Sequence, residues 1–153
     1  MNSLRATIAL LVVLVPGFAS SAHAEGRCSM AATAGAWAFT YSGTILLPNG
    51  AAIPVASVGR FTQKGGSLSG AETRSLAGQS ADETLTGSYT VNADCTATYS
   101  FEIFESGTLV RRSTVNVIYD DDQRSVRGIF TSASLADGSP LATVITVDGR
   151  KIF

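Results

Sequence analysis

Histidine is nearly missing from this chain, which has a single one, His23, in 153 residues. That residue falls in a leader that we expect to be removed on export, so the mature protein would have no imidazole. Histidine is the usual general base, proton shuttle and metal ligand near neutral pH, and it commonly activates hydroxyl nucleophiles. The sequence therefore argues against a hydrolase, and we predict no metal and no cofactor.

Basic side chains are also few, and lysine occurs only at Lys64 and Lys151. The chain has eleven Lys and Arg against twelve Asp and Glu, and Arg5 would leave with the leader. A nucleic-acid interface needs a row of cations to neutralise phosphates, and the sequence has no such row. We predict that nucleic acid is not a partner.

The first 24 residues are organised like a secretory signal peptide. Arg5 supplies a positive charge, an apolar run covers 6–15, and the small residues Ala22 and Ala24 suit the signal peptidase. A membrane-spanning helix needs about 20 apolar residues, so a permanent N-terminal anchor is disfavoured. We predict cleavage after Ala24 and a single mature domain over 25–153 without a transmembrane segment. Its expected location is secreted or periplasmic.

The mature chain has two cysteines, Cys28 and Cys95. Exported chains meet an oxidising environment, in which such a pair tends to form a disulfide. We predict a structural Cys28–Cys95 bond that joins the N-terminal arm to a hairpin in mid-chain. Two unpaired buried thiols are the alternative.

The rest of the sequence consists of β-rich runs separated by turn signals about every 12 residues, without a helical rhythm. The turn signals are Asn49-Gly50, Gly65-Gly66, 92–94, Ser106-Gly107, 120–122, Asp137-Gly138 and Asp148-Gly149. We predict strands near 36–46, 52–62, 67–76, 82–91, 96–104, 109–118, 125–134 and 141–148. The three aspartates at 120–122 are expected to form a hairpin tip rather than a calcium site, because adjacent side chains point in different directions.

Short connections favour the pairing of consecutive strands, and closure removes exposed edges. The predicted fold class is therefore all-β, an eight-stranded antiparallel up-and-down barrel. Such a barrel is filled by its side chains or holds one small ligand. An outer-membrane barrel is disfavoured because the third strand has no continuous apolar face.

Four segments carry a resemblance to a known family: 35–39 (GAWAF), 58–62 (VGRFT), 85–96 (LTGSYTVNADCT) and 129–132 (IFTS). They resemble small secreted bacterial proteins that are grouped with the allene oxide cyclase barrel-like domains, and the Gly-x-Trp opening also resembles the lipocalins. The resemblance implies an eight-stranded antiparallel barrel. It carries over no catalytic residue.

Candidate binding residues follow from side-chain alternation. Glu72 and Arg74 share one face of the third strand, where an inward position would make them a polar pair with a proton-transfer role for Glu72. Outward positions are favoured for this pair, for Glu102 and for Arg112, since charged side chains are rarely buried. An inward Arg112 and Asn116 would instead bind a carbonyl or carboxylate. The candidate ligand contacts are Trp37, Glu72, Arg74, Tyr89, Tyr99, Glu102 and Asn116.

Three functional hypotheses remain open on the sequence. The first is a barrel that holds a small, largely apolar ligand, with Trp37, Tyr89, Tyr99 and Phe101 available to line a pocket. The second is a cyclase or isomerase that uses an inward polar cluster and the shape of the barrel. The third is a barrel with a filled core, which acts through its surface as a structural or interaction protein of the cell envelope.

Overall fold

The computed structural model describes residues 28–120 and 122–153. The leader predicted for 1–24, with its cleavage after Ala24, lies outside the described residues. Among the residues described, no helix is both long and apolar enough to cross a membrane.

Eight antiparallel strands form a closed barrel in which consecutive strands pair and the last strand pairs with the first. The strands are β1 (Gly35–Leu46), β2 (Ala52–Lys64), β3 (Ser67–Leu76), β4 (Gln79–Val91), β5 (Thr96–Glu105), β6 (Thr108–Tyr119), β7 (Ser125–Leu135) and β8 (Ala142–Lys151). A one-turn helix, α1 (Met30–Thr33), precedes them. The predicted fold class is confirmed.

One boundary error is at the C-terminal end of β8. Asp148-Gly149 was predicted as a turn, but both residues lie inside the strand, opposite Thr40 and Phe39 of β1. The prediction was wrong because β8 closes the barrel, and its pairing with both β1 and β7 outweighs the local turn preference.

The hairpin connections alternate between two different ends of the barrel. At one end, which we call the closed end, α1 covers the interior and Thr33 is fully buried. At the other end, the connections 47–51, 77–78, 106–107 and 136–141 surround an open mouth. A ligand in the barrel would therefore enter through the mouth.

Glycines inside the strands allow neighbouring backbones to approach closely. A Cβ atom on Gly70 would lie 2.1 Å from the backbone oxygen of Arg60, and one on Gly87 would lie 2.0 Å from that of Ser100. Both distances are far inside van der Waals contact, so these positions exclude any side chain. The glycines permit tight coiling of the sheet and do not leave space for a ligand.

The predicted disulfide is confirmed. Cys28 and Cys95 are bonded, with their Cα atoms 5.0 Å apart, and both are buried. The bond joins the segment before α1 to the β4–β5 hairpin, 67 residues further along the chain. It thereby holds α1 against the closed end of the barrel.

A buried hydrogen-bond network inside the barrel holds α1 in place. The carbonyl of Thr33 accepts hydrogen bonds from Trp37 Nε1 (2.9 Å) and Gln63 Nε2 (2.8 Å). Gln63 Nε2 also donates to the Tyr119 hydroxyl (3.2 Å), and Gln63 Oε1 accepts from the Tyr99 hydroxyl (2.9 Å). The two tyrosine hydroxyls also bond to each other. Gln63 therefore connects the helix to three strands.

We expect Gln63→Leu to lower the free energy of unfolding by about 1–3 kcal/mol, because the buried Tyr99 hydroxyl loses its acceptor and the buried Tyr119 hydroxyl loses a donor. Urea unfolding measures the loss. The matched control is Gln79→Leu at the exposed start of β4, which should change stability by no more than about 0.5 kcal/mol. Equal losses in the two variants would contradict the role assigned to the buried amide.

Candidate functional site

The open mouth contains a cup of about 270 Å³. Its wall consists of Ile45, Leu47, Ile53, Val55, Leu76, Val110, Phe130, Ala133, Leu135, Leu141 and Ile145, with Tyr41, Arg74, Arg111, Ser113 and Thr143. We call this space the mouth cup. Among the residues described, Arg74 and Arg111 are the only charged side chains that line it. The cup is thus an apolar space with two cationic groups in its wall.

The deeper interior is almost filled. Its remaining cavity has a volume of about 50 Å³, which is room for one or two water molecules at about 30 Å³ each. Aromatic rings occupy the rest: Phe61 packs against Phe39, Tyr99 and Phe101 with ring centroids 5.7–6.3 Å apart. Within the barrel, the space large enough for a ligand is therefore the mouth cup.

A cluster of four charged side chains lies between the cup and the deep cavity. Arg111 Nη2 is 2.5 Å from Glu72 Oε1 and 2.6 Å from Glu83 Oε2, and Arg111 Nη1 donates to Glu83 Oε1 at 2.7 Å. Arg74 Nε donates to the same Glu83 Oε1 at 2.8 Å. The glutamate side chains are 3% and 0% exposed. We call Glu72, Arg74, Glu83 and Arg111 the charge cluster.

Hydroxyl groups complete the surroundings of Glu72. Ser57 donates to Glu72 Oε2 at 2.8 Å, while the Tyr41 hydroxyl lies 3.4 Å from Glu72 Oε1 and accepts from Arg111 Nη2 at 3.2 Å. Burial, together with the charge of Glu72, raises the pKa of the Tyr41 hydroxyl. Tyr41 therefore remains a neutral donor at any physiological pH.

The two carboxyl groups of the charge cluster differ in protonation. Burial raises the pKa of Glu72 to about 7, although Arg111 and Ser57 partly oppose the rise. Burial acts in the same direction on Glu83, but hydrogen bonds from Arg111 and Arg74 hold the pKa of Glu83 below its ordinary value. Glu83 Oε2 is close to Arg111 but has no aligned donor among the described residues. Hydrogen bonding between the two carboxyl groups raises the pKa of Glu72 and lowers that of Glu83, so a proton shared by the pair resides on Glu72.

We expect stability to fall as the pH rises from 5 to 8. The pKa of Glu72 is raised on folding from an ordinary 4.5 to about 7, so between these values the folded state binds more protons than the unfolded state. The favourable contribution is complete below pH 4.5 and is lost as the pH passes 7. Its size is about 3 kcal/mol, and urea unfolding at the two pH values measures it.

Glu72→Gln should remove most of this pH dependence, because an amide does not titrate. The control, Glu102→Gln on the exposed outer face, should retain it. If wild type and Glu72→Gln lose the same stability between pH 5 and 8, the assignment to Glu72 is wrong.

The structure separates the predicted binding residues into three groups. Glu72 and Arg74 point inward and belong to the charge cluster, so the favoured outward position for this pair was wrong. Burial is tolerated here because each charge has an opposite partner. Trp37 and Tyr89 are buried at the closed end, where their side chains donate hydrogen bonds to backbone carbonyls of α1. Tyr99 lines the deep cavity and does not line the mouth cup.

Glu102 and Asn116, offered as candidate ligand contacts, do not point into the barrel, and the outward position favoured for Glu102 is the one observed. Both are on the outer face, where Glu102 pairs with Arg112 at 3.0 Å and Asn116 accepts a hydrogen bond from Thr98 at 3.0 Å. The reason is alternation: their strand neighbours Ile103 and Val115 are buried. Arg112 is exposed, as the sequence favoured.

Four polar residues of the charge cluster and of the surroundings of Glu72 were not among the sequence candidates: Tyr41, Ser57, Glu83 and Arg111. Glu83 has the same parity as the buried Leu85 in β4, and Arg111 has the same parity as the buried Val115 in β6. Alternation was therefore a usable signal for both charged residues. In the described part of the chain, no group of three or more His, Cys, Asp or Glu side chains is placed to hold a metal ion.

Comparisons with known proteins support the fold only. No protein-family model and no curated protein matches the chain. Among solved structures, EF1p2_mFAP2b bound to DFHBI is 10% identical, with 83% of this chain and 99% of that one covered and a TM-score of 0.57. The redesigned β-barrel mFAP1, also bound to DFHBI, is 15% identical with coverage of 80% and 98% and a TM-score of 0.51.

A third similar structure is the S-type phycobiliprotein lyase CPES from Guillardia theta, at 12% identity, coverage of 84% and 96%, and a TM-score of 0.48. At these identities the two matches with the higher TM-scores show a shared barrel fold and nothing more. The barrel that the family resemblance implies is confirmed, but none of the comparisons supports the allene oxide cyclase family in particular.

Proposed function

We propose that this protein holds a small, largely apolar ligand in the mouth cup and does so outside the cytoplasm. The observation that carries the proposal is a cup of about 270 Å³ with a mostly aliphatic wall that opens to solvent. Burying apolar surface yields about 25 cal/mol per Å², so an apolar molecule that displaces water from this wall binds favourably. The Cys28–Cys95 disulfide supports an oxidising compartment.

The size and fold of the barrel suit such a ligand. The volume of the cup lies just below the 300–1,000 Å³ of typical small-molecule sites, which favours a compact ligand. Barrels of eight strands commonly bind one small molecule, and two of the similar barrels are bound to DFHBI. The polar end of a ligand would face the arginines of the charge cluster, and its apolar body would contact the aliphatic wall.

Ala133→Trp tests the proposal by filling the cup from its own wall. Wild type is screened by thermal unfolding against compact aromatic and terpenoid alcohols, amides and carboxylates. A ligand at 100 times its Kd stabilises by about 2.7 kcal/mol, and we expect this gain to be lost in Ala133→Trp. Thr143→Trp, which also reaches into the cup, should behave in the same way.

The control is Ala142→Trp on the exposed outer face of β8, which should keep the full ligand-induced gain. Unfolding without ligand shows whether each variant is folded. If no compound stabilises the wild type, or if both tryptophan positions in the cup bind as well as Ala142→Trp, the proposal fails.

A second candidate is a cyclase or isomerase resembling allene oxide cyclase. The observation that favours it is the buried Glu72 carboxyl with a pKa of about 7, because a general acid–base group works best when its pKa is near the working pH. Arg111 and Tyr41 next to it could stabilise an enolate oxygen. In this reaction the reacting carbons of the substrate would have to extend from the mouth cup past Arg111 to Glu72, which faces the deep cavity. Glu72 would then take a proton from the carbon next to a carbonyl and return it further along the substrate chain.

Conversion of an unconjugated enone to its conjugated isomer, followed by near-ultraviolet absorbance, tests this second candidate. We expect Glu72→Gln to abolish turnover without weakening binding of the same enone. No conversion by a wild-type protein that binds the enone would argue against it. A filled-core protein that acts only through its surface, the third hypothesis, finds support in the nearly filled deep cavity but not in the open cup.

A further inference from the structure

We propose that the ligand is an organic anion whose head group binds Arg74 and Arg111, and that Glu72 takes up a proton when the anion binds. This inference rests on the proposed ligand-binding function and specifies its chemistry. The inference specifies the chemistry of the ligand's head group. The body of the ligand would contact the apolar wall of the mouth cup.

The first observation is that charge is distributed asymmetrically across the charge cluster. Both arginines line the mouth cup, whereas neither glutamate does. Glu72 instead faces the deep cavity, and the Glu83 side chain is fully buried behind the two guanidinium groups. A molecule in the cup therefore meets two cations before any anion, and guanidinium groups are well suited to bind carboxylates.

The second observation is that Arg74 has donor capacity left for a ligand. Its Nε donates to Glu83, and among the residues that the structure describes its Nη2 has only a 4.0 Å contact with Glu105, whose side chain is 46% exposed. A guanidinium group has five N–H donors. Arg74 can therefore bind a head group in the cup without breaking its bond to Glu83.

The third observation is the charge balance. With both glutamates ionised, the charge cluster contains two positive and two negative charges, so an added anion leaves one negative charge in excess. The groups that face Glu72 are Tyr41 from β1, Glu83 from β4 and Arg111 from β6, with Arg74 on β3 itself. Protonation of Glu72 restores neutrality, and the new proton bonds to Glu83. Tyr41 stays neutral, and both arginines stay charged.

Calorimetric titration with 4-phenylbutyrate and 4-phenylbutyramide tests the proposal, because these probes differ only in the charge of the head group. We expect the carboxylate to bind at least tenfold more tightly than the amide at pH 6. Between pH 6 and pH 8 the affinity for the carboxylate should fall about tenfold. The reason is that the pKa of Glu72 is about 7, and the protonated fraction of a group falls about tenfold for each pH unit above its pKa. Titrations at pH 8 in two buffers of different ionisation enthalpy should report uptake of about one proton.

Two variants and one control separate the parts of the proposal. Glu72→Gln should bind the carboxylate with no proton uptake and no pH dependence, and Arg74→Gln should lose the preference for the carboxylate. Glu102→Gln on the outer face should behave like wild type. Equal affinity for the two probes overturns the anion inference but leaves the proposed function intact, whereas no binding of either probe also counts against the proposed function. Carboxylate binding without proton uptake at pH 8 overturns the role of Glu72.

Discussion

We expect Arg111→Met to lower the free energy of unfolding by about 3–5 kcal/mol at pH 8, the usual cost of removing one partner from a buried ion pair. Arg111 contacts both Glu72 and Glu83 at 2.5–2.7 Å, so the substitution leaves two buried carboxyl groups with Arg74 as their cation. The loss should be smaller at pH 5, where Glu72 is protonated. Urea unfolding at both pH values measures it.

The neighbouring residue provides a matched control for this substitution. Arg112 pairs with Glu102 on the outer face, and both side chains are nearly half exposed. Such surface pairs contribute about 0–1 kcal/mol, so Arg112→Met should have little effect. Adding Glu72→Gln to Arg111→Met should recover part of the loss. Similar losses of stability for Arg111→Met and Arg112→Met would contradict the stabilising role assigned to Arg111 in the charge cluster.

The second large effect is expected from removal of the disulfide. Replacing Cys28 and Cys95 by serine should lower the free energy of unfolding by about 4 kcal/mol, the chain-entropy value for a closed loop of this size. The bond joins two residues that are 67 positions apart in sequence. Its removal therefore gives the unfolded chain much more conformational freedom. Urea unfolding measures the loss, and reduction of the wild type should reproduce it.

Fluorescence of Trp37 gives a local readout of the same change. It is the only tryptophan in the chain, it is 1% exposed, and it bonds to the last residue of α1. If the disulfide holds α1 on the closed end, emission of the serine variant should shift to longer wavelength under native conditions. Unchanged emission together with a stability loss below about 1 kcal/mol would contradict this role.

The architecture was predictable because turn chemistry and alternation are local properties. Residue pairs such as Asn49-Gly50 and Ser106-Gly107 favour tight hairpin turns, and short hairpins leave few alternatives to consecutive pairing. The exception at Asp148-Gly149 has a non-local cause. Pairing of β8 with both β1 and β7 closes the barrel and overrides the turn preference of this pair. The residues next to Asp148-Gly149 in sequence do not indicate that pairing.

The charge cluster was harder to predict because it depends on partners from different strands. Alternation indicates that Glu83 and Arg111 point inward, but the general rarity of buried charges argues against it. The conflict is resolved only when the closed barrel brings β3, β4 and β6 around one point. The sequence does not contain the distances that make Glu72, Glu83 and Arg111 mutual partners.

The most direct test of the site is a crystal structure of the protein grown with 4-phenylbutyrate at pH 6. We expect its phenyl group against the aliphatic wall of the mouth cup and its carboxylate within hydrogen-bonding distance of Arg74 or Arg111. A cup filled by the protein's own side chains, or a ligand bound only on the outer surface, would contradict the site described above.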